Sequence, residues 1–168
     1  MANTTFSGPV RSESTIKTIS KNATSGTITE VVTFGDGPIS LSDGDVTLTN
    51  ATHSGRILLV PYGSQDNTYT LPAPIAGSMF RFVYAGGAAD ATDALILTPG
   101  NSNFYIGGIT HLDTNADNVT VFSNGSSNSS VQLNVPQAFD ITIVGKDTTN
   151  YQIFGTVTST TVPAFADQ

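Results

Sequence analysis

Short runs in which apolar and polar side chains alternate are the most regular feature of the sequence. The clearest run is residues 79–84, where aromatic residues occupy every second position in the letters MFRFVY. Alternation at period two with aromatic and β-branched residues favours a half-buried β-strand. Pro72 and Pro74, which precede this run, remove backbone donors and disfavour a helix there. We therefore expect the aromatic face to enter a core and Arg81 to point outward or into a subunit contact.

About ten such runs, separated by turns roughly every 8 to 12 residues, extend along the chain. This spacing predicts an all-β protein built as a single β-sandwich or jelly-roll-like domain. Residues 138–146 and 151–160 are the clearest hairpin, because the polar residues 147–150 between them favour a turn. Residues 56–61 form a continuous apolar run, which predicts a fully buried strand. The sequence shows no repeat of fixed period, which argues against a propeller or a solenoid.

Two local patterns predict smaller features. The Asp43-Gly44 pair lies between the apolar runs 39–41 and 45–50, and a pair of this type is a hairpin signal. Residues 90–94, within a loop of small side chains, are compatible with a single helical turn. Glycine and proline are otherwise spread so evenly that few windows could hold a helix of average length, which is about a dozen residues.

Residues 1–26 differ from the rest of the chain and predict an extended N-terminal arm. Large apolar side chains are sparse in this segment, so it cannot bury enough apolar area to offset its ordering entropy. We therefore divide the chain into the arm, a β-sandwich domain (27–160) and a C-terminal tail (161–168). The arm is expected to contact a partner surface or a neighbouring subunit, with an arm folded back on its own domain as the alternative. The expected contact residues are Phe6, Pro9, Val10, Arg11, Ile16, Lys17, Ile19 and Lys21.

Charge is sparse and unevenly distributed along the 168 residues. The formal net charge is -7, with +2 on residues 1–26 and -9 on residues 27–168. Because binding phosphates requires clustered Lys and Arg, an acidic body disfavours nucleic acid and anionic membranes as partners. The N-terminal segment lacks the apolar core of a signal peptide, and no apolar run approaches the roughly 18 residues of a membrane span, so we expect a soluble protein. The absence of cysteine excludes disulfides and thiolate metal sites.

The sequence contains no complete catalytic motif. It has no GxSxG, no HExxH and no Gly-rich phosphate loop before a helix, and its two histidines, His53 and His111, are far apart. Two pairs of acidic residues could be taken for glycosidase carboxylates, but Asp is a standard turn residue and both pairs lie in turn-like segments. These turn pairs are Asp43 with Asp45 and Asp90 with Asp93. We expect no enzymatic activity and no cofactor.

One loop resembles a calcium-binding segment in its first positions. Asp113, Asn115 and Asp117 alternate along the chain as the oxygen ligands of an EF-hand loop do. The match then fails, because Asn118 stands where the loop requires Gly and Asn124 stands where it requires Glu. We expect a loop stabilised by Asx turns, with a weak calcium site as the alternative.

Four segments of the chain resemble a family of small proteins from tailed phages of marine habitats. They occur in the family's order and read MANTTFSGPVRSE, AGSMFRFVYAGGAADATDALIL, FYIGGITHLDT and GTVTSTTVPAFADQ. The likeness covers most of the chain and is looser in residues 20–60. The genes of this family lie with the capsid genes, and its members look like head decoration, or capsid cement, proteins.

The resemblance implies a virion structural protein on the outer capsid surface, which braces the shell where capsomers meet. It implies a homotrimer whose other partner is the major capsid protein, and it carries over no ligand set and no active site. The eight arm residues would then make capsid or inter-subunit contacts. The main alternative is a trimeric tail-fibre or receptor-binding module that binds glycans, although the chain has no Trp and only five Tyr for sugar stacking.

Overall fold

The computed structural model describes the backbone of residues 16–34, 37–114 and 118–168, and the side chains of 22–27, 37–114 and 118–168. Over these residues the chain is nearly all β with two sheets packed together, which confirms the expected all-β sandwich. The described elements are β1 (Ile16–Lys21), β2 (Ile28–Phe34), β3 (Ile39–Ser40), β4 (Val46–Thr47), α1 (Asn50–His53), β5 (Arg56–Val60), β6 (Asn67–Thr70), β7 (Met79–Tyr84), β8 (Ala94–Leu97), β9 (Phe104–Asp113), β10 (Val119–Phe122), β11 (Ser130–Leu133), β12 (Ala138–Gly145), β13 (Asn150–Ser159) and β14 (Ala164–Ala166).

The chain divides into two compact units between residues 36 and 37. In the first unit, β1 and β2 form a two-stranded antiparallel sheet. Asn22 closes the turn between them, because its Oδ1 accepts hydrogen bonds from the backbone N–H groups of Thr24 and Ser25. The unit boundary lies later in the chain than residue 26, since β1 pairs with a strand that the sequence assigned to the sandwich.

The second unit, Gly37–Gln168, contains a seven-stranded and a five-stranded sheet. The strand order is β10-β9-β13-β12-β7-β5-β3 in the first sheet and β14-β11-β8-β6-β4 in the second. From β3 to β8, consecutive strands alternate between the two sheets, so each pair of strands forms one turn of a coil. As a result β3, β5 and β7 are parallel neighbours in one sheet, and β4, β6 and β8 are parallel neighbours in the other.

This coil differs from what the sequence led us to expect. Ile39 pairs with Leu58 and Leu58 pairs with Phe82, so aligned positions are 19 and then 24 residues apart. The uneven spacing hides the repeat, although stacked parallel turns are the local architecture of a solenoid. The sequence did not predict this local coil, although the fold as a whole is the expected sandwich. The connectivity also departs from a jelly roll, which belongs to the antiparallel all-β architectures.

Two smaller expectations are also wrong. The Asp43-Gly44 turn does not close a hairpin, because β3 and β4 belong to different sheets and the turn carries the chain from one to the other. Residues 91 and 92 form bends that lead into β8, which begins at Ala94, rather than a helical turn. The described helix is α1. Thr49 caps its N-terminus, because the Thr49 hydroxyl accepts a hydrogen bond from the backbone N–H of Thr52.

The facing sides of the two sheets form one apolar core. Phe80 and Phe82 of β7 are fully buried, as the alternation predicted, and Tyr84 packs with its ring centroid 5.5 Å from that of Phe139. Tyr69 of β6 reaches across from the other sheet, with its ring centroid 6.0 Å from that of Phe82. Aromatic rings from both sheets therefore meet within a core that also contains many Leu, Ile and Val side chains.

Two further strand predictions have different outcomes. β12 and β13 pair antiparallel along their whole length, which confirms the hairpin. β5 is not fully buried, because only Leu58 and Val60 face the core and Ile57 is 39% exposed. In the expected C-terminal tail, β14 pairs with β11 and extends the five-stranded sheet.

Candidate interaction surface

The outer face of the seven-stranded sheet carries several exposed side chains. Strand alternation turns one set of residues into the core and the other set onto this face. Phe122 is 69% exposed and Phe154 is 50% exposed, so this face presents two aromatic rings to solvent. The register of the strands places the following residues in one row across the sheet: Phe122, Gly108, Phe154, Thr142, Arg81 and Ile57.

A shallow depression of about 430 Å³ lies on this sheet where β7, β12 and β13 run side by side. These three strands are interior strands of the sheet, with a hydrogen-bonded neighbour on each side. Side chains on such strands are held more rigidly than side chains on loops. The depression is lined by Met79, Arg81, Asp140, Thr142, Phe154, Gly155 and Thr156.

Gly155 allows β13 to pack closely on β12 at this point. Its φ is +151°, and a Cβ built there would lie 2.2 Å from the carbonyl oxygen of Asp140 and 2.7 Å from the Cα of Ile141. Both atoms belong to the backbone, so no side chain fits at this position. The depression is therefore lined by bare backbone between Phe154 and Thr156.

Arg81 and Asp140 form a bidentate ion pair at the depression. Nε of Arg81 donates to Oδ1 at 2.8 Å, and Nη2 donates to Oδ2 at 2.5 Å. The hydrogen bond from Arg81 holds the pKa of Asp140 below its ordinary value, and the same bond raises the pKa of Arg81. The two side chains are 44% and 43% exposed, so solvent screens the attraction between them. The pair is therefore open to solvent and to a ligand.

β10 is an edge strand of the same sheet and has exposed apolar residues. Val119 is 43% exposed, and the ring of Phe122 lies across Gly108 of β9, where an added Cβ would approach Cδ1 of Phe122 to 2.8 Å. The strand contains no charged residue and no proline, which are common devices against edge pairing. The other edge strands of the two large sheets, β3, β4 and β14, have only two or three residues.

The structure describes only some of the arm residues that the sequence singled out. The residues outside the described part of the chain are Phe6, Pro9, Val10 and Arg11. The residues on strand β1, where the backbone alone is described, are Ile16, Lys17, Ile19 and Lys21. Their contacts with a capsid or another subunit stay a prediction.

The first acidic turn pair binds backbone groups, as expected. Asp45 accepts a hydrogen bond from the backbone N–H of Thr68 at 2.9 Å. Asp43 accepts from the hydroxyl of Ser64 at 2.6 Å and from its backbone N–H at 3.2 Å. The bond from the Ser64 hydroxyl contributes most to lowering the pKa of Asp43. Both carboxylates thus fasten one turn of the coil to the next.

The second acidic turn pair also accepts hydrogen bonds from backbone N–H groups. Asp90 is only 7% exposed and accepts hydrogen bonds from the backbone N–H of Gly63 and from the hydroxyl and N–H of Thr92. Asp93 accepts from the backbone N–H of Val135 at 2.9 Å. The expected turn role is therefore found for Asp90, which bonds within its own turn, whereas the bonds of Asp43, Asp45 and Asp93 join segments more than 20 residues apart.

The two histidines lie in unrelated environments. His53 is in α1 beside Thr49, and desolvation is the main cause that lowers its pKa. His111 is fully buried, with Nε2 3.1 Å from the carbonyl oxygen of Ser159 and Nδ1 without a partner among the described residues. A carbonyl only accepts, so Nε2 carries the proton. In the described ranges, no three His, Cys, Asp or Glu side chains are placed to hold a metal ion.

The calcium-like loop is described only at its ends. Asp113 is the last residue of β9, and its backbone N–H donates to Oδ1 of Asn118 at 3.2 Å. Asn115 and Asp117 lie outside the described residues, so the weak calcium site stays an untested alternative.

Sequence reasoning missed the exposed phenylalanines. In β13 the buried positions include Ile153 and Val157, so Phe154 is out of phase with the apolar face of its own strand. This position on the polar side of the alternation was the sequence feature that could have identified Phe154 as exposed. For Phe122 the strand is too short to establish a phase, and its exposure follows from its place on an edge strand.

None of the helices in the described part of the chain has the length and apolarity needed to span a bilayer. No protein-family model and no curated protein matches the chain.

Proposed function

We propose that this chain is a virion structural protein that binds the outer surface of a tailed-phage head at capsomer junctions and stabilises the shell. The observation that carries the proposal is the exposed apolar edge strand β10 on an all-β body. Open edges with exposed apolar side chains invite pairing with another chain. The resemblance of four segments to phage head decoration proteins points to a phage head as the partner.

The edge strand offers both backbone and side-chain contacts. The backbone N–H of Ser123 donates to the carbonyl of Gly107, and bonding alternates along an antiparallel pair. The N–H groups of Thr120 and Phe122 therefore point toward the open side of β10. Since full burial of a large apolar side chain is worth about 1.5 to 3 kcal/mol, covering the exposed part of Phe122 should contribute about 1 to 2 kcal/mol.

A second copy of the chain is one proposed occupant of this edge, within a homotrimer. The chain carries a formal net charge of -7, so most of its surface repels another copy, whereas β10 has no charge. The major capsid protein is the other proposed partner, and the arm would make the contact. The apolar residues of the arm would supply about 1.5 to 3 kcal/mol each on burial, while exposed ion pairs from the basic residues of the arm would add about 0 to 1 kcal/mol each.

The chemistry of the described residues favours a non-enzymatic role. The carboxylates that most resemble catalytic pairs accept hydrogen bonds from backbone N–H groups and join separate segments of the chain. The acidic body also makes nucleic acid and anionic membranes poor partners, because both carry negative charge.

Sedimentation with undecorated heads tests the proposal. The full chain should pellet with the heads, and deletion of residues 2–36 should abolish this while the second unit stays folded, because its core lies within that unit. Phe122→Ser should lower the trimer fraction seen by light scattering, and Tyr62→Ser, a similarly exposed aromatic control, should not. Full head occupancy by the deletion variant would place the attachment surface on the sandwich instead.

A trimeric tail-fibre or receptor-binding module remains the competing proposal, and the exposed ring of Phe154 favours it. Copy number in purified particles separates the two. A decoration protein is present in proportion to the capsid protein, whereas a fibre module is present in a few copies at the tail.

A further inference from the structure

We infer that the depression on the seven-stranded sheet is a binding site for a neutral oligosaccharide. This inference goes beyond the proposed function and does not depend on it. A volume of about 430 Å³ falls within the range of small-molecule sites, which is roughly 300 to 1,000 Å³. The depression lies on the open face of a sheet, and a chain of sugar rings can lie along such a face.

The apolar part of the depression suits the C–H face of a sugar ring. Phe154 is 50% exposed and Met79 is 38% exposed, and both line the depression. Aromatic rings bury a large area with few rotatable bonds, so they lose little entropy on binding. The backbone of Gly155 lines the depression beside Phe154 and adds no side chain there.

The polar part of the depression suits sugar hydroxyls. The ion pair between Arg81 and Asp140 uses Nε and Nη2 of the guanidinium, so Nη1 is left as a donor, and each carboxylate oxygen keeps a further lone pair. The hydroxyls of Thr142 and Thr156 have no hydrogen-bond partner in the described residues, although both line the depression. Paired donors and acceptors of this kind match the neighbouring hydroxyls of a sugar.

Charge and desolvation favour a sugar over the other occupants. The lining residues carry one positive and one negative charge, which are paired, so the depression does not select a charged ligand. An apolar protein surface pressed onto this site would leave the ion pair of Arg81 and Asp140 desolvated without new partners, which is costly. A neutral sugar instead supplies hydroxyls that replace the lost water.

Saturation-transfer NMR on the purified full chain tests the inference, with neutral hexasaccharides of glucose, mannose, galactose and N-acetylglucosamine as probes at millimolar concentration. The wild-type chain and Tyr62→Ser, an exposed aromatic control outside the depression, should bind at least one probe equally well. Phe154→Ser and the isosteric Asp140→Asn should each weaken that binding by about tenfold or more.

Three results would overturn the inference. The first is that no probe binds the wild-type chain, and the second is that binding survives unchanged in both Phe154→Ser and Asp140→Asn. The third is that Phe154→Ser lowers the molar mass of the protein oligomer in light scattering and leaves sugar binding intact, which would make the depression a contact between protein subunits.

Discussion

Replacing Gly155 by Ala tests the close approach of β13 to β12 that shapes the depression. The added Cβ would lie 2.2 Å from the carbonyl oxygen of Asp140 and 2.7 Å from the Cα of Ile141. Side-chain rotation cannot relieve contacts with backbone atoms, so the two strands must separate locally. Overpacking of this kind costs about 1 to 3 kcal/mol, and a non-glycine residue at φ +151° adds about 1 kcal/mol or more. We expect the free energy of unfolding to fall by about 3 kcal/mol.

Thermal unfolding followed by circular dichroism measures this loss. For a chain of this size, about 3 kcal/mol corresponds to a fall in Tm of roughly 10 °C. Gly37→Ala is the matched control, because an added Cβ there meets no atom within 4 Å, and it should change stability by no more than about 0.5 kcal/mol. A Gly155→Ala variant as stable as Gly37→Ala would refute the reasoning.

Three further predictions concern charges and loops. The pKa of Asp140 is lowered from 3.8 in the folded chain, so its ion pair stabilises the fold above pH 3.8, and this stabilisation is lost as the pH falls through the lower folded pKa. Asp140→Asn should therefore lower the free energy of unfolding by about 0.5 to 1 kcal/mol at pH 7 and leave it unchanged in strong acid. Urea unfolding at both pH values measures the difference. Asp90→Ala should cost about 3 kcal/mol in the same assay, because it leaves the N–H groups of Gly63 and Thr92 without their acceptor, and a loss under 1 kcal/mol would contradict this. A chelator should shift Tm by less than about 3 °C, since the loop after Asp113 departs from calcium spacing, and a larger fall would reveal a calcium site.

Local strand patterns were predictable from the sequence because burial on one face imposes period two. The aromatic alternation of β7 and the hairpin of β12 and β13 are both found. The turn role of Asp90 was also predictable, because its side chain accepts hydrogen bonds from the backbone N–H groups of Ala91 and Thr92, which directly follow it. These features depend on neighbours in sequence or on one face of one strand.

The arrangement of strands in sheets was not predictable, because it depends on pairing between distant segments. An Asp-Gly turn looks the same whether it closes a hairpin or carries the chain between sheets, as Asp43 and Gly44 do. The coil also has loops of unequal length, so Ile39, Leu58 and Phe82 align without a fixed period. The depression draws on β7, β12 and β13, and only the pairing of these strands brings Arg81 beside Asp140.

A cryo-electron microscopy reconstruction of heads mixed with the purified chain tests the central proposal most directly. The proposal predicts added density on the outer surface at capsomer junctions, large enough for β-sandwich trimers and absent from heads without the chain. Heads that show no added density at saturating protein, or density confined to the tail, would contradict a decoration role.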